Sequence, residues 1–179
     1  MNLQFSKNAL KKRIAFLVFL VLTILWMSVI FGFSSNDAAE STVQSNTVTE
    51  IILRIFNRDF DEMSPEEQQR LIDSCDGIVR KFAHFTAYAI LGFLWYHTLF
   101  FAPGGFFNNK RRIIGFTFAP CVLFAVTDEY HQTLVDGRAG RFTDVIIDSA
   151  GVAFGIIMSV LLFVIVGMVA SKKLRKRDV

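Results

Sequence analysis

The chain has 179 residues, 53% of them hydrophobic, with 20 Phe, only 3 Pro and a formal net charge of +3. That length suits a single domain, but apolar residues gathered into long uncharged runs exclude an ordinary water-soluble one. Two cysteines, one in an apolar run (Cys121) and one in a polar segment (Cys75), argue against a disulfide framework.

A basic tail with Lys7, Lys11, Lys12 and Arg13 and no acid leads into residues 14–33, 20 positions without a charge. At ~1.5 Å per residue such a helix matches the ~30 Å hydrocarbon core. It exceeds the ~7–15 residues of a signal-peptide core, and Asp37-Ala38-Ala39 is a poor cleavage site, so an uncleaved signal anchor is expected.

Residues 34–80 hold ten acids against four arginines. Val48, Ile51, Ile52, Ile55 and Phe56 recur at helical spacing, which predicts a short amphipathic helix in the outer interface. Ser64-Pro65-Glu66-Glu67 has the form of a capping box with Pro at the first helical position. It predicts a second short helix from Pro65 to about Cys75, broken near Gly77.

Three further apolar runs follow. Residues 82–102 are interrupted only by His84 and His97, and Pro103-Gly104-Gly105 ends them. Residues 113–127 fall short of a span, and extending them through Asp128-Glu129-Tyr130-His131-Gln132 to Val135 supplies the missing length, with Pro120 as an expected kink. Residues 145–170 contain Asp148 as their only charge. The expected fold is all-α: a single membrane domain (1–179) built as a bundle of four transmembrane helices (14–33, 82–102, 113–135 and 145–170). Short interfacial helices over 34–80 cover its outer face.

Charge sets the orientation. Lys110, Arg111 and Arg112 lie between the second and third runs, and Lys172, Lys173, Arg175, Lys176 and Arg177 follow the fourth, against Asp178. Positive residues stay in the cytoplasm, so both termini are expected inside a multi-pass cell-membrane protein. The basic tails are topology signals and anionic-lipid contacts, which leaves the lipid bilayer as a partner and nucleic acid as none.

This topology brings polar residues to one level. The first helix ends outside at Ser34-Ser35. The second starts there, with Lys81, His84 and Tyr88 at i, i+3, i+7. The third ends there with Asp128, Glu129, His131 and Gln132. The fourth starts there with Arg141, Asp144 and Asp148, again at i, i+3, i+7. A charge in hydrocarbon costs at least ~2.5–3.5 kcal/mol, so several kept together suggest use. The bland alternative is an ion-pair network, including Arg141 with Asp144, that staples helices. His97 falls near the opposite end and is expected at the interface. Gly151-Val152-Ala153-Phe154-Gly155 has small residues at the spacing of close helix contact. His84, Glu129, His131 and Asp148 are metal-ligand types, but His-Glu-x-x-His is absent and no metal is assigned. A histidine with carboxylates can act as general acid and base, and Arg138 and Arg141 are placed for a phosphate or carboxylate.

These residues also carry a resemblance. Phe33-Ser34-Ser35 and the stretch Arg80-Lys81-Phe82-Ala83-His84-Phe85-Thr86-Ala87-Tyr88-Ala89-Ile90-Leu91-Gly92 resemble the first half of the VanZ-like family. Asp128-Glu129-Tyr130-His131-Gln132, Gly137-Arg138 and Asp144-Val145-Ile146-Ile147-Asp148-Ser149-Ala150-Gly151 resemble its second half, with Asp136 where the family usually has Pro. The likeness covers about residues 30–157. It implies a bacterial envelope protein of a family whose founding member is linked to low-level resistance to the glycopeptide teicoplanin, and it implies no particular reaction or cofactor.

Together these readings give His84, Asp128, Glu129 and Asp148 as candidate catalytic residues. Lys81, Tyr88, Gln132, Arg138 and Asp144 are candidate substrate-binding residues. The expected ligand is a lipid-linked envelope precursor, a lipoglycopeptide or another anionic envelope molecule. Three function classes stay open: an enzyme at the outer membrane surface, a non-catalytic binder or shield, and a structural partner protein.

Overall fold

Among the residues described by the computed structural model, 2–175, all regular structure is helical. Lys176, Arg177 and Asp178 of the basic tail lie outside them. The helices are α1 (Asn2–Ser34), α2 (Ala38–Phe56), α3 (Pro65–Phe101), α4 (Lys110–Gln132) and α5 (Phe142–Arg175), with 3₁₀ turns at Phe60–Glu62 and Phe106–Asn108.

Local chemistry fixes most of the boundaries. The Asp37 side chain accepts from the Glu40 backbone N–H at 2.8 Å and caps α2. Ser64 and Glu67 close the expected capping box, and Pro65 opens α3 behind it. Asn109 caps α4 by accepting from the Arg111 N–H at 2.9 Å. The reversal before α4 uses Gly104 and Gly105 at positive φ, a conformation that suits a residue without Cβ.

Two expectations about these elements are corrected. The helix beginning at Pro65 does not break near Gly77 but runs 37 residues to Phe101. A glycine costs a helix about 1 kcal/mol, and a cap at one end with packing along the length outweighs that. Likewise, α4 stops at Gln132, three residues short of Val135, in a run of turns over Thr133–Arg138. Pro120 sits inside α4, which continues through it.

Three helices, not four, are long and apolar enough to cross a membrane: Lys7–Ser34, Lys110–Gln132 and Phe142–Val169. The stretch expected as the second span forms the latter part of α3, where two histidines, two tyrosines and Trp95 dilute the apolar residues. Its surroundings explain the composition. α3 packs against all four other helices, so protein rather than lipid covers much of its surface. The outward faces of α1 and α5 are the reverse, with Leu17, Val21, Leu25, Ile157, Leu161 and Ile165 all exposed. Apolar faces of that extent suit a lipid bilayer.

Cross-helix contacts give the directions. Phe19 stacks on Phe101 and Thr23 meets Thr98, so α1 and α3 are antiparallel. His84 meets Asp148 while Phe100 stacks on Phe163, so α3 and α5 are parallel. Trp95 donates to the Phe116 carbonyl while Tyr88 packs on Phe124, so α4 is antiparallel to α3. The start of α1 and the end of α5 therefore share one end of the bundle. α2, the first half of α3 and the loop before α5 share the other, called below the α2 end.

α3 and α5 touch at backbone distance. A Cβ on Gly92 would lie 2.7 Å from the Val152 carbonyl oxygen, and one on Gly151 or Gly155 would overlap the Phe85 or Ala89 carbonyl. The small residues of 151–155 are thus close-contact residues, as their spacing suggests. His97 is buried, not interfacial. It lies between Phe19, Phe93 and Phe163 with a ring nitrogen 2.8 Å from the Phe93 carbonyl.

Candidate functional site

Two polar layers cross the bundle, and they differ in whether their groups are satisfied. In the layer near the termini, Thr23 donates to the Phe19 carbonyl, Thr98 to Leu94, Thr117 to Ile113 and Ser159 to Gly155. The layer at the α2 end is otherwise. All the buried side-chain polar atoms without a hydrogen-bond partner, among the described residues, lie at that end. They include the Ser34 hydroxyl, the Tyr88 hydroxyl, Asp128 Oδ1, Glu129 Oε1, His131 Nδ1 and both oxygens of Asp148. Each such group costs about 1–3 kcal/mol, and a concentration of them calls for an explanation beyond packing.

Helix periodicity assembles the layer. His84 and Tyr88 are four apart on α3, Asp128 and Gln132 four apart on α4, and Asp144 and Asp148 four apart on α5, so each pair shares a face. Asp148 is 0% exposed, with Oδ1 3.3 Å from His84 Nδ1 but not aligned as a hydrogen bond. Glu129, 5% exposed, accepts from the Arg141 backbone N–H at 2.8 Å through Oε2, leaving Oε1 free. Gly140 permits that approach, because a Cβ there would overlap the Glu129 carbonyl. Asp128, 3% exposed, receives a 3.5 Å contact from Gln132 Nε2. One ligand-type atom from each of His84, Glu129 and Asp144 lies within 4.8 Å of the others.

Beside this layer a cavity of about 310 Å³ opens between α1, α2, α3 and the end of α4. Trp26, Val29, Ile30, Phe33 and Val48 form its apolar wall, and Arg80, His84, Tyr88, Asp128, Gln132 and Arg138 form its polar part. The two arginines are partly committed already. Arg80 pairs with Asp76 at 3.3 Å, and Asp76 also takes the Ser45 hydroxyl. Arg138 donates to the Phe33 and Ser34 carbonyls at 3.2 and 2.9 Å and to the Ser41 hydroxyl at 2.8 Å. It therefore caps the C-terminus of α1, where a cation also meets the negative end of the helix dipole. Burial pulls its pKa below the ordinary arginine value, and the guanidinium stays charged at working pH.

The structure thus gathers His84, Tyr88, Asp128, Glu129, Gln132 and Asp148 into one buried polar layer, with Asp144 at its half-buried edge. His84, Tyr88, Asp128 and Gln132 also line the cavity, and layer and cavity together are called the chamber below. Lys81 is exposed and outside the cavity lining, and Arg141 takes part through its backbone while its side chain is exposed without an ion pair. Arg80 and Ser34 enter the cavity lining although neither is among the candidate catalytic or substrate-binding residues of the sequence, where Ser34 marks only the outer end of the first helix. Arg80 is four residues before His84, a spacing as good as that of Lys81, and only the seat of α2 on α3 decides between them.

A family model described as VanZ/LLP1 matches residues 19–164, well over half of the chain. The match takes in every residue of the chamber. Comparison with curated proteins and with solved structures gives no match.

Proposed function

Because the chain belongs to the VanZ/LLP1 family, we propose that it is an integral membrane protein of the bacterial cell envelope whose chamber binds or acts on a lipid-linked or anionic envelope molecule. The observation that carries this reading is the concentration of buried, unpartnered polar groups at the head of a cleft with an apolar wall. Such a cleft matches an amphiphile, with chains along Trp26, Ile30 and Phe33 and a charged head toward Arg80 and Gln132. In this arrangement the latter half of α3 runs through the membrane enclosed by its neighbours. The α2 end faces outward and both termini lie in the cytoplasm, as the basic residues around the apolar runs favour.

For acid–base chemistry, His84 is the proton carrier, Asp148 orients its ring, and Glu129 and Asp128 supply further carboxylates. A second reading, a non-catalytic binder or shield that contributes to glycopeptide resistance, draws support from the mainly apolar cleft and from arginines already committed to protein partners.

The test is envelope-lipid and precursor profiling of a deletion strain complemented with wild type, His84→Gln, Asp148→Asn or Glu129→Asp. The proposal expects full-length, inserted variants, since neutralising a membrane carboxylate removes an insertion cost. It expects the deletion profile from His84→Gln and Asp148→Asn, with the double variant no worse than either single one. Glu129→Asp separates the readings: an enzyme loses the deletion-strain rescue, and a binder retains part of it. If the inserted variants all restore the wild-type profile, the chamber is not the site. If they vanish from the membrane, the carboxylates only hold the helices together.

A further inference from the structure

The chamber has a charge imbalance that protein groups do not correct. Asp128, Glu129, Asp144 and Asp148 stand around His84, and among the described residues no lysine or arginine forms an ion pair with any of them. The nearest arginines are held elsewhere, Arg80 by Asp76 and Arg138 by the end of α1. Buried carboxylates need a cation or a proton.

We propose that His84, Glu129 and Asp144 bind one divalent first-row metal ion, Zn²⁺ or Mn²⁺. It rests on the chamber of the proposed function but not on the identity of the envelope molecule, and with the ion bound His84 and Glu129 are ligands in place of their acid–base roles. Three observations support the site. The three ligand atoms come from three different helices yet lie within 4.8 Å of one another. Ligand atoms held at about 2.0–2.2 Å around a tetrahedral ion stand roughly 3.3–3.6 Å apart, so the three side chains close by up to about 1.5 Å on binding. Glu129 Oε2 is fixed by the Arg141 N–H, and its other oxygen, buried and unpartnered, is left to ligate. His84 meets the fully buried Asp148 through Nδ1, which leaves Nε2 for the ion. Metal-bound histidines commonly set their second ring nitrogen against a carboxylate in this way. An imidazole among the ligands selects against Mg²⁺ and Ca²⁺, which prefer all-oxygen sets. Three protein ligands also leave a coordination position open.

The experiment uses full-length protein in detergent with Cys75→Ser, so that the half-exposed thiol contributes nothing. After chelation, the protein is equilibrated with Zn²⁺, Mn²⁺ or Mg²⁺ alone and its metal content is measured. The expected result is about one Zn²⁺ or Mn²⁺ per chain and no retained Mg²⁺. Glu129→Gln and Asp144→Asn each remove the bound ion, and Asp148→Asn weakens binding about 10–100-fold without abolishing it. Asp144 is half-buried, so its variant keeps the test sound if Glu129→Gln fails to fold. Parent protein that retains neither Zn²⁺ nor Mn²⁺, or an Asp144→Asn variant that binds as the parent does, overturns the proposal. A bound ion with an unchanged envelope profile leaves the metal site standing while the proposed function falls.

Discussion

Arg138 shows how one residue can serve fold and site together. Its guanidinium reaches two carbonyls at the end of α1 and the Ser41 hydroxyl on α2, so one planar fork joins the loop before α5 to both helices. Arg138→Lys keeps the charge but not the fork. It is expected to lower stability by about 2–3 kcal/mol, the cost of losing one or two charge-assisted hydrogen bonds, as measured by thermal unfolding in detergent. Stability equal to wild type contradicts the capping role. The same residue marks a limit of sequence reading. Run lengths and charge put Arg138 at the same end of the bundle as His84, Asp128, Glu129 and Asp148, and the structure has all five at the α2 end. What they could not supply was direction around the helix axis. Arg138 was free to face a ligand, and Lys81 looked as well placed as Arg80, because α2 and the turns that aim these side chains leave no strong periodic signal.

At the scale of elements, the contacts between α3 and α5 decide how close the polar chains lie. The glycines divide sharply. Cβ atoms on Gly151 and Gly155 would meet backbone of α3, which cannot swing aside, whereas those on Gly32 and Gly167 would meet nothing within 4 Å. Gly155→Val is therefore expected to cost about 1–3 kcal/mol or more, because the helices must separate. Gly32→Ala is expected to be neutral or to stabilise by up to about 1 kcal/mol through helix propensity. Thermal unfolding of the pair checks the contrast, and equal effects would remove the close-contact reading.

The N-terminus of α3 adds a pH dependence. Hydrogen bonds from the Ser64 backbone N–H and hydroxyl hold the Glu67 carboxyl below its ordinary range. A carboxyl depressed in the folded state contributes stability that is present above its unfolded pKa of about 4.3 and is lost as pH falls through the folded value. Faster amide exchange in the first turn of α3 is expected as pH drops below about 4, after correction for intrinsic rates, and no such change is expected in Glu67→Ala, which is frayed throughout. This cap was fully legible in Ser64-Pro65-Glu66-Glu67. The continuity of α3 was not, because Gly77 looks like a stop when only local propensity is weighed. The contacts that carry the helix past it come from α2, distant in sequence.

For the molecule as a whole, the asymmetry of charge and the asymmetry of structure coincide. Residues 34–80, rich in acids, build the end that holds the chamber, and the basic tail and the basic loop at Lys110, Arg111 and Arg112 belong to the other. Apolar runs exposed most of this plan, but they miscounted the helices fit to face lipid. The enclosed helix, α3, could keep histidines and tyrosines that a lipid-facing helix could not, and sequence hydropathy does not register enclosure. α2 completes the α2 end. Val48, Ile51, Ile55 and Phe56 are exposed along it, as for a helix resting at a membrane surface. The two native cysteines test the sidedness without any redesign. Cys75 is half-exposed in the first half of α3, and Cys121 is buried in α4. With the chamber end outward, a membrane-impermeant maleimide labels wild-type protein in intact cells, Cys75→Ser abolishes the label, and Cys121→Ser leaves it unchanged. Labelling that requires permeabilised cells places the α2 end in the cytoplasm, and a chamber there could not receive a molecule from the outer leaflet.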